Sequence, residues 1–592
     1  MVESHTGTLP KFGGNQEILT LSGGRKASLT NQEALDLIES KASTSDQGRE
    51  PVHLALQKQW FVSIANFLGV SGISGLEGFQ NVDPSFTATD ASYKANHILP
   101  AVMRQVARLS KAQPVTDVMP KSPDIDDAFG AKVGQYFLEH WDDQFDFAAV
   151  GNDLAFWQVC CGPAYVFTDW NPRIGGERTS YTNPVNGDLL DGSKLEDGHR
   201  KFLESYGGAK NTKTGRMEIE VISPFQLLVP RGFRRLEDMP WIVVEHERSI
   251  DWVWDNFPKQ ANNLAPDDMD AAVDGQYWRR LGSLVNRHGF TLPSQGSEGN
   301  ETVKVRDMWV PPSGRFPTGF RIMATNKQLL YKGPHPYAAA GIDLHAMPWM
   351  RYPISQTEYC RVPGRFWGTG LVEHLVGPQD DYNRTRDQII QQRDVLGTPQ
   401  WLAARNAELK SNRNDYGDIW EYNAHAGGKP ELVNPPALSQ LHQATAIDSL
   451  SDMGSISLQN DASQGEVPTG VRSGSGLRAL QEKDTMGLTY PVRSLEACYQ
   501  DMSRKLLTLT WKFMPEEQMI NTYGEFRTND VKVLKGSEIN GNVFVRVKRG
   551  SMMPKSQAES QESLMNLLQV GAMNPANPEH QQMIMDIMDF GN

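Results

Sequence analysis

The stretch Gln379-Asp380-Asp381-Tyr382-Asn383-Arg384-Thr385-Arg386-Asp387-Gln388 is polar on every side of a helix except at Tyr382. It lies inside residues 370–396, which carry no helix-breaking residue after Pro378. A helix that is polar all round builds no core of its own; it needs solvent, charge pairs or identical neighbours. At 1.5 Å per residue this one spans roughly 40 Å. Leu438–Gln459 predicts a second long helix, with a thin apolar stripe of Leu441, Ala444, Ile447, Leu450 and Met453. Between the two, Gly397–Ala437 places Asn, Gly and Pro turns around Asp418-Ile419-Trp420-Glu421-Tyr422. That reads as a compact β excursion joining two antiparallel helices.

Working outward, Asn460–Gly476 is a loop with four glycines, and Leu477–Phe513 predicts a third long helix kinked at Tyr490-Pro491. Strand pattern returns over Val531–Lys548, and helices are expected at Ser556–Val570 and Pro578–Met588. On the N-terminal side, residues 1–50 read as a mobile arm with one short helix near Gln32–Lys41. Helical periodicity follows from Val52 to Leu68, over Asn96–Lys111, and over Asp124–Val159 as one or two helices. Ala164–Phe167, Met217–Ser223, Trp241–Glu245, Val303–Pro311, Gly319–Thr325 and Gln328–Lys332 read as strands, with a helix at Ile250–Phe257. Asn171–Arg216 reads as a long surface insertion. The fold class is therefore α+β: a mixed α/β body followed by a mostly helical half.

The chain has 592 residues, of which 39% are hydrophobic and 22% charged. This is a globular composition. Its 58 basic residues against 71 acidic ones leave a net charge of -13, which argues against a protein that coats DNA by neutralising phosphates. Four cysteines make no disulfide framework, and the absence of a Cys-x-x-Cys pair argues against a zinc ribbon. The first residues show neither a basic nor an apolar targeting region, so no signal peptide is expected. No run of about 18 apolar residues predicts a membrane span.

The search for chemistry returns little. There is no G-x-x-x-x-G-K-[ST] phosphate loop and no G-x-S-x-G nucleophile. Ser473-Gly474-Ser475-Gly476 has no histidine near it. Gly368-Thr369-Gly370 fits a turn leading into a helix better than a phosphate site. In Glu245-His246-Glu247, strand alternation puts the glutamates on one face and the histidine on the other, so no ligand set forms. His335 and His345 flank a turn, and Cys160-Cys161 follows an apolar helix face as buried small residues. Carboxylate pairs such as Asp142-Asp143 and Asp380-Asp381 read as solvated faces. No enzyme, cofactor or metal is expected.

The order of these segments resembles the portal (head-to-tail connector) proteins of tailed bacteriophages, the short-tailed phage type in particular. Local phrases carry the resemblance: Ile219-Glu220-Val221-Ile222-Ser223-Pro224-Phe225-Gln226 at the close of the first sheet, and Gly364-Arg365-Phe366-Trp367-Gly368-Thr369-Gly370 with Gln379 and Asn383 leading into the first long helix. Gly397-Thr398-Pro399, Thr469-Gly470-Val471-Arg472-Ser473-Gly474 and Arg549-Gly550-Ser551-Met552-Met553-Pro554-Lys555-Ser556 follow in the same order. It spans roughly residues 90–590, and their order carries it more than any single phrase.

The resemblance implies a dodecameric ring at one capsid vertex, through which double-stranded DNA is packaged and ejected. Residues 1–50 would be a flexible arm, 51–369 the wing with its insertion at 171–216, and 370–396 and 438–459 the two stem helices. Residues 397–437 would be the clip, 460–476 the tunnel loop, 477–550 the kinked helix and wing return, and 551–592 crown helices without an extended barrel. Arg472 and Lys483 would contact DNA from the tunnel loop. Asp380, Asp381 and Asp387 would meet Arg384, Arg386 or Arg393 of a neighbouring stem, the plain alternative being a solvated helix. Asp418, Trp420 and Glu421 would face the terminase large subunit and the head-completion or tail adaptor proteins. Major capsid and scaffolding proteins would be further partners, with no membrane; the location would be the virion, and the host cytoplasm during assembly. Two alternatives stay open: a metal-dependent nucleic-acid-processing enzyme, and a minor capsid or tail adaptor without a DNA channel.

Overall fold

A computed structural model describes residues 30–42, 51–69, 95–110, 116–182, 189–191, 209–262, 302–314, 316–325, 328–396, 400–402, 431–433, 440–458, 486–514, 517–523, 529–539 and 543–547, with the single positions 114, 264, 425 and 541. The helices are α1 (Asn31–Ala42), α2 (Pro51–Phe67), α3 (Ile98–Ser110), α4 (Ile125–Phe145), α5 (Phe147–Cys161), α6 (Ile250–Asn256), α7 (Val372–Leu396), α8 (Gln440–Ile456) and α9 (Thr489–Phe513), besides single turns. The strands are β1 (Thr116–Pro120), β2 (Pro163–Asn171), β3 (Glu177–Thr182), β4 (Leu189–Asp191), β5 (Ala209–Lys213), β6 (Arg216–Ile222), β7 (Leu227–Leu228), β8 (Ile242–Ser249) and β9 (Thr302–Val310). They continue as β10 (Phe320–Ala324), β11 (Leu329–Pro334), β12 (Ile354–Glu358), β13 (Gln400–Leu402), β14 (Glu431–Val433), β15 (Glu517–Tyr523), β16 (Asn529–Lys535) and β17 (Val543–Val547). The α+β class therefore holds. No described helix is long and apolar enough to cross a membrane.

The chain divides into two units. One takes its residues from 1–57, 103–370 and 485–592, the other from 58–102 and 371–484. In the first unit an antiparallel sheet of order β11-β10-β9-β8-β7 has apolar residues on both faces. Strand alternation sends Phe320, Ile322 and Ala324 to one face, with Val243, Met308 and Val310, where Ala34 and Ile38 of α1 cover them. The helix expected in the arm is thus present, but it is docked on the sheet because it offers two buried apolar residues one turn apart. Val305 and Met323 point to the opposite face and meet Val253 and Phe257 around α6.

A second antiparallel sheet, β12-β2-β6, supplies the central strand. Every residue of β2 is buried, because α5 and α9 both pack against it. Helix α9 buries Leu495, Cys498, Met502, Leu506, Leu509 and Phe513, a helical stripe of the expected period, and Phe513 stacks on Trp170 of β2. The break between α4 and α5 is made by Asp146, which adopts φ 46° and caps α5 by accepting the Ala149 N–H at 3.2 Å. Aspartate tolerates that left-handed position through local hydrogen bonding. Gly162 closes α5 at φ 103°, and a Cβ there would sit 2.6 Å from the Thr369 carbonyl carbon. The close approach of two segments therefore demands glycine.

Two expectations are corrected in this unit. The insertion at 171–216 carries a three-stranded sheet of its own, β4-β3-β5. The helix ending at Phe513 is interrupted by a turn at Leu488 and restarts at Thr489, which places Pro491 in the first turn, where a missing N–H costs least. Strands β1, β12 and β15 had no strand signal in the sequence.

In the second unit α7 packs against α8, and β13 pairs antiparallel with β14 between them. The β excursion joining two helices is thus present where the turn residues place it. Pro378 lies inside α7 and removes the hydrogen bond its N–H would make to the preceding turn.

Candidate functional site

The polar stretch of α7 is less solvated than its composition suggests. Gln379, Tyr382, Asn383 and Thr385 are all buried. Gln379 donates through Nε2 to the Ala95 carbonyl at 2.6 Å and accepts the His97 N–H at 2.9 Å. Asn383 accepts the Ala95 N–H at 3.3 Å, and Tyr382 meets the His97 ring edge-on at 4.8 Å. One polar face of α7 thus serves as hydrogen-bonding partner for the extended segment before α3. Of the residues expected to pair between subunits, Asp381, Arg384 and Arg393 are exposed, while Asp380, Arg386 and Asp387 are half-buried.

Helix α8 turns its faces differently from the expected stripe. Its buried line is Ala446, Ser449 and Met453, continuing to Ser457. Leu441 is 71% exposed and Ile447 66% exposed, and Ala444 is exposed beside them. Met453 of the expected stripe is buried and Leu450 half-buried, so the stripe holds only towards the C-terminal end of the helix. Arg472, Lys483, Asp418, Trp420 and Glu421 lie outside the described residues.

In the first unit three strands bring a charged cluster into the interior. Arg321 of β10 donates to both carboxylate oxygens of Asp307 at 3.0 and 2.7 Å, and to Asp169 at 2.8 Å. Its guanidinium lies 4.1 Å from the Trp309 ring centre, and Tyr337 donates to Asp169 at 2.9 Å. Burial raises the Asp169 carboxyl above its usual range even though Arg321 pulls it down. Beside it, burial lowers Arg173 to about 10, and Glu220 is held at about 2 by His246 and Arg248 against its own burial. The cavity among these groups has a volume of about 20 Å³. That admits a water molecule and no substrate.

The other candidate groups are structural. His246 points away from Glu245, which pairs with Lys304 and Arg306 on the opposite face. His335 is fully buried, lowered to about 3 by desolvation, and hydrogen-bonded to the Arg351 carbonyl at 3.1 Å. Cys160 and Cys161 are buried. Among the described residues no group of three His, Cys, Asp or Glu is placed to hold a metal ion.

A surface feature escaped the sequence reading. Arg234 and Arg235, after β7, converge with Arg361 and Arg365, in the loop after β12, on a groove of about 520 Å³ that Asp238 and Tyr490 also line. Arg234, Arg235 and Arg361 are exposed. The Arg365 Nε is buried without an acceptor. The sequence shows two short arginine pairs, but not that the fold joins them.

Residues 321–592, which include α7, α8 and α9, match the family model of phage P22-like portal proteins. This supports a portal protein of the short-tailed phage type, as the order of segments implies. No curated protein matches the chain.

Proposed function

We propose that this chain is the subunit of a phage portal: twelve copies form a ring at one capsid vertex, and double-stranded DNA passes through it during packaging and ejection. The family match over residues 321–592 supports a portal role. The observation that carries the ring is α8, which leaves Leu441 and Ile447 in water within that matched segment. Covering an aliphatic side chain fully is worth about 1.5–3 kcal/mol, so neighbouring copies of the hairpin α7–α8 gain by standing side by side. The exposed Asp381, Arg384 and Arg393 then rim the same contact, with Asp380, Arg386 and Asp387 behind them.

In this reading α7 and α8 are the stem, 397–437 the clip, 460–476 the tunnel loop and 551–592 the crown. Residues 51–369 and the return at 477–550 are the wing, behind the arm at 1–50. The ring is a passive conduit in the virion, assembled in the host cytoplasm. A net charge of -13 keeps phosphates from sticking, and Arg472 and Lys483 supply sparse contacts. The terminase large subunit and later the head-completion or tail adaptors dock on the clip through Asp418, Trp420 and Glu421, while major capsid and scaffolding proteins surround the ring.

Negative-stain microscopy of the purified protein tests the proposal: rings with a central hole are expected, and a monodisperse monomer at every concentration refutes it. Arg472→Ala tests the loop, and is expected to assemble normally while altering DNA packaging or retention.

A further inference from the structure

The groove of Arg234, Arg235, Arg361 and Arg365 sits at one end of α5. Its C-terminal end is tied to the groove's own segment: the Gly162 carbonyl accepts the Tyr359 N–H at 2.9 Å, and Gln158 donates to the Glu358 and Pro491 carbonyls at 2.9 and 3.0 Å. Arg361 and Tyr490 adjoin those anchors. At the opposite end of the same helix, Tyr499 donates to the Phe147 carbonyl at 2.8 Å. There the corner between α4 and α5 exposes Asp142, Asp143 and Asp146, with Asp153 two turns on. Fifteen residues of helix separate the two ends by about 20 Å.

Among the described residues neither end is closed by a salt bridge. Among those residues none of the four arginines has a carboxylate within salt-bridge distance, although Asp238 lines the same groove and Glu358 feels the charge of Arg361, and Asp142, Asp143 and Asp153 form no salt bridge, with Asp143 acting on the His140 imidazole. Two complementary patches at opposite ends of one rigid element are what a head-to-tail contact between identical subunits requires. Such a contact is heterologous, and it closes into a ring when the rotation permits.

We propose that the arginine groove is the socket for the acidic α4–α5 corner of a second copy of this chain. The inference rests on the ring reading above and names a contact for it. A helix-corner carboxylate set entering a groove of guanidinium groups forms charge-assisted hydrogen bonds, several of them bidentate. These groups are only partly desolvated, so the contact steers and registers subunits more than it adds affinity, and it weakens with salt.

Two variants with exposed substitutions test it. Arg234→Glu with Arg235→Glu and Arg361→Glu makes both ends acidic; Asp143→Lys with Asp153→Lys places two lysines at the corner and cancels its net negative charge. Asp142 and Asp146 are left alone because both accept backbone N–H groups. Each variant alone is expected to need at least tenfold more protein to form rings than the unaltered chain, with circular dichroism and urea midpoints confirming folding. Mixed in equal amounts, the two are expected to co-assemble, because each altered groove then meets an oppositely altered corner. Rings from either variant alone at the unaltered concentration overturn the inference, as does failure of the mixture to improve on its components. So does a groove variant that assembles normally but loses affinity for a duplex oligonucleotide, which would make the groove a phosphate site. If the unaltered chain forms no rings at all, the portal reading has failed first.

Discussion

Replacing Arg321 by Met removes the guanidinium that bridges two buried carboxylates. Asp307 is 0% exposed and Asp169 2% exposed, so neither can recover its hydration without local unfolding. Three charge-assisted hydrogen bonds are lost, each worth about 1.5–3 kcal/mol. Methionine returns some apolar packing against Trp309, and water or protonation relieves part of the stranded charge. The net expectation is a loss of about 3–5 kcal/mol, the usual consequence of breaking a buried pair from one side. The loss carries a pH signature. Asp169 already sits above its usual range, and the guanidinium is what pulls it down. Without Arg321 its folded pKa rises further. An acid whose folded pKa exceeds the unfolded value contributes stability that is present at low pH and lost as pH rises through the folded pKa. The deficit of Arg321→Met therefore grows from pH 4 towards neutrality, and Asp169→Asn with Asp307→Asn in the same chain reduces it. Urea unfolding followed by tryptophan fluorescence, at one protein concentration and several pH values, measures both effects. A loss under about 1 kcal/mol, or one independent of pH, refutes the view that this cluster is a buried ionic tie.

Glu358 is pushed up to about 7 by burial, so the wild-type chain loses about 3 kcal/mol from this group as pH rises from about 4.5 to about 7, and Glu358→Gln flattens that slope in urea midpoints taken at pH 5, 6, 7 and 9. Gly162→Ala forces a side chain into φ 103° and against the Thr369 backbone, and is expected to cost about 2–4 kcal/mol in the same unfolding assay. Leu441→Ser with Ile447→Ser changes exposed positions, so the urea midpoint of the subunit moves by no more than about 0.5 kcal/mol per site. Sedimentation velocity is expected to show ring formation shifted to at least tenfold higher concentration; an unchanged assembly profile would remove α8 from the contact.

Much of this fold was legible residue by residue. Helical periodicity placed α2 to α5 and α9, alternation placed β6, and short strand-forming runs placed β2 and β8 to β10, because the burial of these elements is written into their composition. The β excursion between α7 and α8 was legible from its turn residues. What failed to show were elements whose partners lie far away in sequence. Ile354–Glu358 (ISQTE) has no strand signature, yet pairs with the buried β2. Thr116–Pro120 becomes a strand only because Val543–Val547 meets it. On α8 the expected stripe held only at its C-terminal end, where Met453 is buried and Leu450 half-buried, while Leu441, Ala444 and Ile447 are exposed.

The sequence by itself determined the α+β class and the order of its segments, because helical period, strand pattern and turn residues all follow from local composition. The tertiary structure decided where the chemistry sits. Arg321 and Asp169 are 152 residues apart yet form one buried cluster, and two separate arginine pairs become one groove. No local pattern encodes such a meeting, because Coulomb attraction and desolvation depend on distance in space. Distance along the chain enters only through the fold that closes it.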